Sequence, residues 1–300
     1  MGKGKKFIII IAIIAVIFIA IQIWAKLYPD WLWFSSPAVN MGSVFLTVLK
    51  AKIGMGVTFS IIALAVTIIN LFLLWKLTLR SFTDSIIPIG ENRISIGRKL
   101  LIGVLSLVCI IISIILGLSA VSQWEPYLRY TNSDGLSFSS VDPQFYKDPI
   151  FNKDISYYVF KMPFLRFLRG WLFVLFLVTT MATGVVYGLR RMSGKLSMPM
   201  RAHIFILSAI TLVLLAWGRV FAMYELLFPP SAKGWVYGVG YTDVMARIPV
   251  QKIMMIVAIL SAILCVVSIF TRKTTKLTIG FVILFLAVAI IGGGFYPWVI

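Results

Sequence analysis

The sequence predicts an all-α fold, a polytopic membrane helix bundle with seven transmembrane helices, and three observations carry that expectation. Hydrophobic residues fill 60% of the 300 positions, and the mean hydropathy of +1.00 exceeds what a soluble core needs. Seven apolar intervals are each long enough to cross a hydrocarbon layer of about 30 Å, which takes roughly 20 helical residues. Charge alternates between the loops. Fifteen of the 28 Lys and Arg lie in the amino-terminal tail and the second, fourth and sixth loops, opposed only by Asp84 and Glu91; the other side holds 13 basic residues and eight acids. The positive-inside rule then places the amino terminus in the cytoplasm and the carboxy terminus outside the cell membrane. The net charge of +18 therefore reads as topology. Nucleic-acid binding is not expected, because no basic run is both long and interleaved with exposed aromatics.

The first interval, Phe7 to Trp24, follows a basic head as a signal peptide would, but Gln22-Ile23-Trp24 is too bulky for a cleavage site. It reads as a retained anchor. Trp24, Tyr28, Trp31, Trp33 and Phe34 then suit an outer headgroup belt, a depth that amphipathic rings favour. From Val39 to Lys52 helical spacing of apolar residues, closed by Lys50 and Lys52, predicts a short helix lying on the membrane. The second span, Ile53 to Trp75, opens with Gly54, Gly56, Thr58 and Ser60. The third, Leu100 to Ser122, carries Ser113 and Gly117, and the fourth, Phe167 to Leu189, carries Gly184 and Gly188. Small residues at this spacing share a helix face and let backbones approach. Asn70, an amide deep in the second span, calls for a partner on a neighbouring helix. Cys109 and Cys265 fall inside spans and read as packed apolar groups. The second loop, Lys76 to Lys99, reads as a connector with a tight turn near Pro88 and Gly90.

The outer loop, residues 123–166, is too long to be structureless in a compact assembly. Its centre repeats Asp142-Pro-Gln-Phe-Tyr-Lys147 as Asp148-Pro-Ile-Phe-Asn-Lys153, and Asp154 opens a variant. Asp followed by Pro suits a helix start, since Asp accepts from free amides and Pro needs no donor there. Short interfacial helices are therefore expected, with Tyr157, Tyr158, Phe160, Phe164 and Phe167 docking on the membrane face. Asp142, Asp148 and Asp154 invite a metal reading. They lack the alternate-position ligands and turn glycine of a calcium loop, so capping and ion pairs with Lys147 and Lys153 are preferred.

The fifth span, Ile204 to Phe228, is interrupted by Gly218-Arg219 and contains Glu225. An intramembrane Arg is a functional candidate, although Arg219 lies about 22 Å along the helix, where it can snorkel outward. Arg219 and Glu225 are six apart and face different sides. The fifth loop holds Gly234, Gly238, Gly240 and Asp243, with glycines that suit turns better than phosphate binding. Spans six and seven run from Val250 to Phe270 and from Leu277 to Val299. His203 is the only histidine, catalytic motifs are absent, and the deep spans carry no carboxylate. No cofactor is implied.

The segments DPIFNKDISYYVFKMPF (Asp148 to Phe164) with Arg166 and Gly170-Trp171, YELL (Tyr224 to Leu227), GVGYTDVMARIP (Gly238 to Pro249) and FYP (Phe295 to Pro297) resemble uncharacterised protein family 0182. These are large bacterial multi-pass membrane proteins. The resemblance covers nearly the whole chain; it implies that residues 1–300 are a transmembrane domain and that a large extracytoplasmic domain follows, so the chain reads as a fragment or truncated product. It brings no catalytic residues. Asn152, where glycine is expected, and Met162, where leucine is expected, depart from the pattern.

The expected function is that of a non-enzymatic anchor or scaffold in the lipid bilayer, presenting outer loops to a surface protein or lipid partner. The alternative is a transporter or lipid-handling protein using Arg219 and the small-residue faces. An outer-surface enzyme could draw only on Asp142, Asp148, Asp154 and Asp243.

Overall fold

The computed structural model describes residues 3–78, 85–89, 92–96, 98–140, 146–193, 196–228, 238–271 and 274–291. Eight α-helices occur among them: α1 (Lys3–Ser35), α2 (Gly42–Leu77), α3 (Arg98–Val121), α4 (Trp124–Thr131), α5 (Met162–Ser193), α6 (Met198–Glu225), α7 (Ile248–Phe270) and α8 (Thr274–Ile290). Six helical segments among the described residues are long and apolar enough to cross a membrane: Ile13–Ser35, Gly42–Leu77, Lys99–Val121, Tyr157–Arg190, Met198–Glu225 and Asp243–Phe270. The seventh expected span begins in α8, which has 17 residues; the rest of that interval, from residue 292, lies outside the described residues.

The helix ends sort onto two faces. At one, Leu74, Val186, Tyr187 and Met200 form a buried cluster joined by Leu101 and Ile102. At the other, Tyr158, Met162, Phe221 and Tyr224 are buried together, and Phe34 meets Phe45 across the turn from α1 to α2, with ring centroids 5.8 Å apart. Alternate ends of successive helices thus share a face, as a chain that crosses and recrosses one layer requires. The outward sides of the helices stay apolar: Ile61, Ile115 and Val185 are all at least 58% exposed, a surface that water does not suit and lipid does.

Between the faces, packing follows small residues and a few polar links. A Cβ on Gly117 of α3 would lie 1.7 Å from Ser60 Oγ and 2.9 Å from the Gly56 carbonyl of α2, so only glycine permits this crossing. Trp171 of α5 donates its indole N–H to the Leu116 carbonyl at 3.0 Å and meets Phe59 edge-on at 4.8 Å. Thr183 donates to Asn70 Oδ1 at 2.9 Å, giving the buried amide its partner on α5. Gly184 and Gly188 do not form a comparable crossing: a Cβ at Gly184 would only reach Ile204 at 4.0 Å, and one at Gly188 would meet nothing.

Several expectations change. The predicted surface helix over Val39 to Lys52 is absent, because α2 runs unbroken from Gly42 into the span. Nothing at Lys50 or Lys52 breaks a helix, and α1 likewise continues past Trp24 to Ser35. The turn between them places Asn40 at φ 49, a left-handed conformation that Asn tolerates better than most residues. The connector after α2 contains an antiparallel ribbon, β1 (Ser85–Ile89) with β2 (Asn92–Ile96), an exception to the all-α expectation. Its β-branched Ile86, Ile87, Ile94 and Ile96 favour extended backbone.

Candidate functional site

Residues 146–155 fold back on themselves by main-chain bonds. Lys147 pairs with Asp154 in an isolated antiparallel bridge: the Asp148 amide donates to the Lys153 carbonyl at 2.9 Å, and the Ile155 amide to the Tyr146 carbonyl at 2.9 Å. Inside this bridge the chain reverses through Asn152, at φ 53. Asp148 holds the reversal together. Its Oδ1 accepts the Ile150 amide at 2.8 Å; its Oδ2 accepts the Phe151 amide at 2.9 Å and the Tyr158 hydroxyl at 2.8 Å. The Asp-Pro pair at 148 therefore closes a turn and does not start a helix. The helix start falls at Asp154, whose Oδ1 accepts the Ser156 amide at 2.7 Å while its Oδ2 accepts the Ser137 hydroxyl at 2.7 Å. Asp142, the first of the three repeat acids, lies outside the described residues.

The entries into α5 and α7 each begin with a wide turn. Tyr157–Lys161 precedes Pro163, and Asp243–Arg247 precedes Pro249, each with π-type bonding. Proline's ring clashes with the carbonyl four residues back, and shifting to the fifth-residue carbonyl relieves it. Accordingly the Met162 amide bonds the Tyr157 carbonyl, and the Ile248 amide bonds that of Asp243. Asp243 accepts the Gly240 amide at 3.1 Å and pairs with Arg247 at 2.8 Å, holding the second of these turns.

The aromatic residues of the loop turn inward. Expected on the membrane face, Tyr158 and Phe164 are instead buried in the bundle. Tyr158 meets Tyr157, Tyr224 and Phe228 at 5.3 to 5.6 Å, and Phe164 meets Tyr127 and Tyr130 of α4 at 5.6 and 5.1 Å. Lys153 lies over the rings of Tyr157 (4.8 Å) and Tyr224 (5.8 Å), a cation–π arrangement. Burial in protein satisfies these rings better than lipid because the folded loop supplies matching edges and a carboxylate for the Tyr158 hydroxyl.

Below this cap lies a cluster of arginines from α5 and α6. Arg166 pairs with Glu225 at 2.7 Å, and both line a cleft of about 600 Å³ with Gln123, Tyr158, Phe167 and Phe228. One turn deeper, Arg169 donates Nε–H to the Leu214 carbonyl at 2.7 Å and lies over the Phe173 ring at 5.0 Å. Its guanidinium rests on Gly218, where a Cβ would come within 2.0 Å of it. Arg219, the next residue, is near enough for the two like charges to act on each other. It reaches Gln251 Oε1 of α7 only at 3.4 Å, and its Nε–H is buried with no hydrogen-bond partner among the described residues. Glu225 acts on Arg219 through space, but its ion pair is with Arg166. Asn70 and Arg219 do not converge: the cavity beside Asn70 is about 30 Å³ and has no arginine in its lining.

The model of the Uncharacterised protein family (UPF0182) matches residues 7–300. The chain belongs to this family. A UPF0182 protein of Desulforamulus reducens is 31% identical over 95% of this chain and 32% of its own length. One of Frankia casuarinae is 32% identical over 99% of this chain and 29% of its own, and one of Trichodesmium erythraeum is 30% identical over 99% and 32%. The chain thus spans about a third of the length of these relatives. No solved structure matches it.

Within the UPF0182 pattern, the departure at Asn152 now has a physical account: its φ of 53 is one that glycine adopts freely and asparagine tolerates. Of the site residues read from sequence, Asp148, Asp154 and Asp243 hold turns and helix starts, while Arg219 and Glu225 join the arginine cluster. Arg169, Gly218 and Gln251 were not singled out by sequence reading. A signal for Arg169 existed: it is a second cation three residues beyond Arg166, inside an otherwise apolar run.

Proposed function

We propose that this segment is the membrane anchor of a larger protein, crossing the cell membrane seven times with its capped face outside and its amino terminus in the cytoplasm. The observation that carries the reading is the sorting of helix ends onto two faces, one bearing the folded aromatic cap and the other joining the ends of α2, α3, α5 and α6. The charge bias of the loops supports the direction. The α8 helix is about 25 Å long at 1.5 Å per residue, and the apolar sequence continues to Val299, enough for a seventh crossing. The bundle presents the cap and whatever follows it in the relatives to the outside.

Two measurements test this. With Cys109 and Cys265 replaced, an impermeant maleimide should label Asp134→Cys and Ile300→Cys in intact cells, and Lys276→Cys only after permeabilisation; the reverse pattern would overturn the orientation. Deleting the matched segment from the D. reducens relative should release the remaining protein from the membrane fraction. Retention there would end the anchor reading.

A further inference from the structure

We propose that Arg169 and Arg219 form a binding site for a phosphate-bearing anion at the outer end of the bundle. This goes beyond the anchor reading and rests on it only for which end of the bundle is the outer one, a point the binding measurements do not need. Three features of the cluster point to a ligand. First, among the described residues three arginines share one carboxylate, and that carboxylate is bonded to the outermost of them, Arg166. Second, among the described residues the two deeper guanidiniums bond to neutral acceptors: the Leu214 carbonyl for Arg169, and a Gln251 amide oxygen at the limiting distance of 3.4 Å for Arg219. Third, Arg219 Nε–H is buried with no hydrogen-bond partner among the described residues. An unpaired buried donor on a charged group is costly, and two cations held together raise that cost. A multivalent anion relieves both at once.

Geometry favours phosphate. Guanidinium forks match its oxygens two at a time, and a pair of forks can saturate three or four of them. Gly218 is what lets the pair form, because any side chain there would displace the Arg169 guanidinium from its place beside Arg219. Depth is suitable as well. Arg219 lies six residues, about 9 Å, below the outer end of α6, and a bilayer's headgroup zone is about 5–7 Å thick on each side. With the end of α6 taken as the aqueous edge, the guanidiniums sit at the boundary between headgroups and hydrocarbon, within reach of a lipid phosphate; the cleft that Arg166 and Glu225 line has neither deeper arginine in its lining.

The test uses the full 300-residue chain. In phosphatidylcholine vesicles containing one part in five phosphatidylglycerol, detergent extraction and native mass spectrometry should show phosphatidylglycerol retained over phosphatidylcholine by roughly tenfold. That preference should vanish in Arg219→Gln and Arg169→Gln. In lipid-free detergent, inorganic phosphate should raise the unfolding temperature of the wild type and not of either variant. Lipid preference without a phosphate effect identifies a headgroup site; a phosphate effect without lipid preference identifies a soluble anion; oleate in place of phosphatidylglycerol should not compete. Should the Gln variants lose their helical circular dichroism, Gly218→Ala shifts Arg169 with all charges kept and should weaken binding in the same direction. A wild type that shows neither preference nor phosphate stabilisation, or binding that is equal in folded variants, overturns the site.

Discussion

Asp148 and Arg219 are both polar groups drawn into the same end of one bundle, yet their surroundings treat them in opposite ways. Asp148 is 8% exposed, and its carboxylate accepts three hydrogen bonds, all from residues within ten positions of it. Arg219 belongs to a long helix whose own backbone is already bonded, so it depends on neighbours, and α5 and α7 offer it another cation and a distant amide. A short loop can wrap its own amides around an acid as it folds; a rigid helix cannot do this for a cation. On the proposed anion site, complete satisfaction fits a structural Asp148, and incomplete satisfaction fits an Arg219 that serves a ligand.

The largest effect expected from this contrast is at Asp148. Asp148→Ala strands two amides and the Tyr158 hydroxyl, and should cost about 3 kcal/mol of stability, read from thermal unfolding in detergent by tyrosine and tryptophan fluorescence. Tyr158→Phe leaves both amides bonded and should cost about 1 kcal/mol. Equal losses would show that the carboxylate serves the tyrosine alone and that the loop closes without it.

Arg219 should respond with the opposite sign. In detergent without anionic lipid, Arg219→Met removes a half-buried charge whose Nε–H is unpaired among the described residues, fills similar volume, and should raise stability by about 1 kcal/mol. Adding phosphatidylglycerol should stabilise only the wild type and close the gap. A destabilised variant in plain detergent would make Arg219 a structural residue like Asp148, and the contrast would collapse.

How much of this was legible in the sequence depends on how local each cause is. Six of the span positions and the link from Asn70 to a neighbouring helix follow from apolar run length and from the cost of an unpaired amide in a span. So do the tight places at Gly56, Ser60 and Gly117, since small residues at one spacing share a face. The turn at Asp148 was half legible: the carboxylate's affinity for nearby amides is in the Asp-Pro pair, but whether it caps a helix or closes a reversal is decided by Asn152 and by the bridge to Asp154. Least legible was the arginine pair. Arg169 and Arg219 are fifty residues apart, and nothing in either neighbourhood says that the faces of α5 and α6 bearing them will meet over Gly218. The inward turn of Tyr158 and Phe164 was hidden for the same reason, because lipid and protein interior are equally apolar to a ring and only the tertiary fold chooses between them.

The smallest effect lies between the two regions, at the Arg166–Glu225 pair. Its side chains are 62% and 44% exposed, so water and salt screen it, and Glu225→Gln should cost only about 0.5 kcal/mol, a difference that fades as salt is raised. Its effect on the deeper cluster should nevertheless be plain. Glu225 is the one described carboxylate acting on Arg219, and neutralising it leaves three arginines without an opposing charge. Phosphate should then bind more tightly to Glu225→Gln than to the wild type, in the same unfolding-temperature assay that compares Arg219→Gln. Weaker binding would mean that Glu225 orients the guanidiniums through Arg166. The anion site would then extend up to the cleft, and the boundary between a satisfied cap and an unsatisfied cluster would have to be drawn above Arg166 rather than below it.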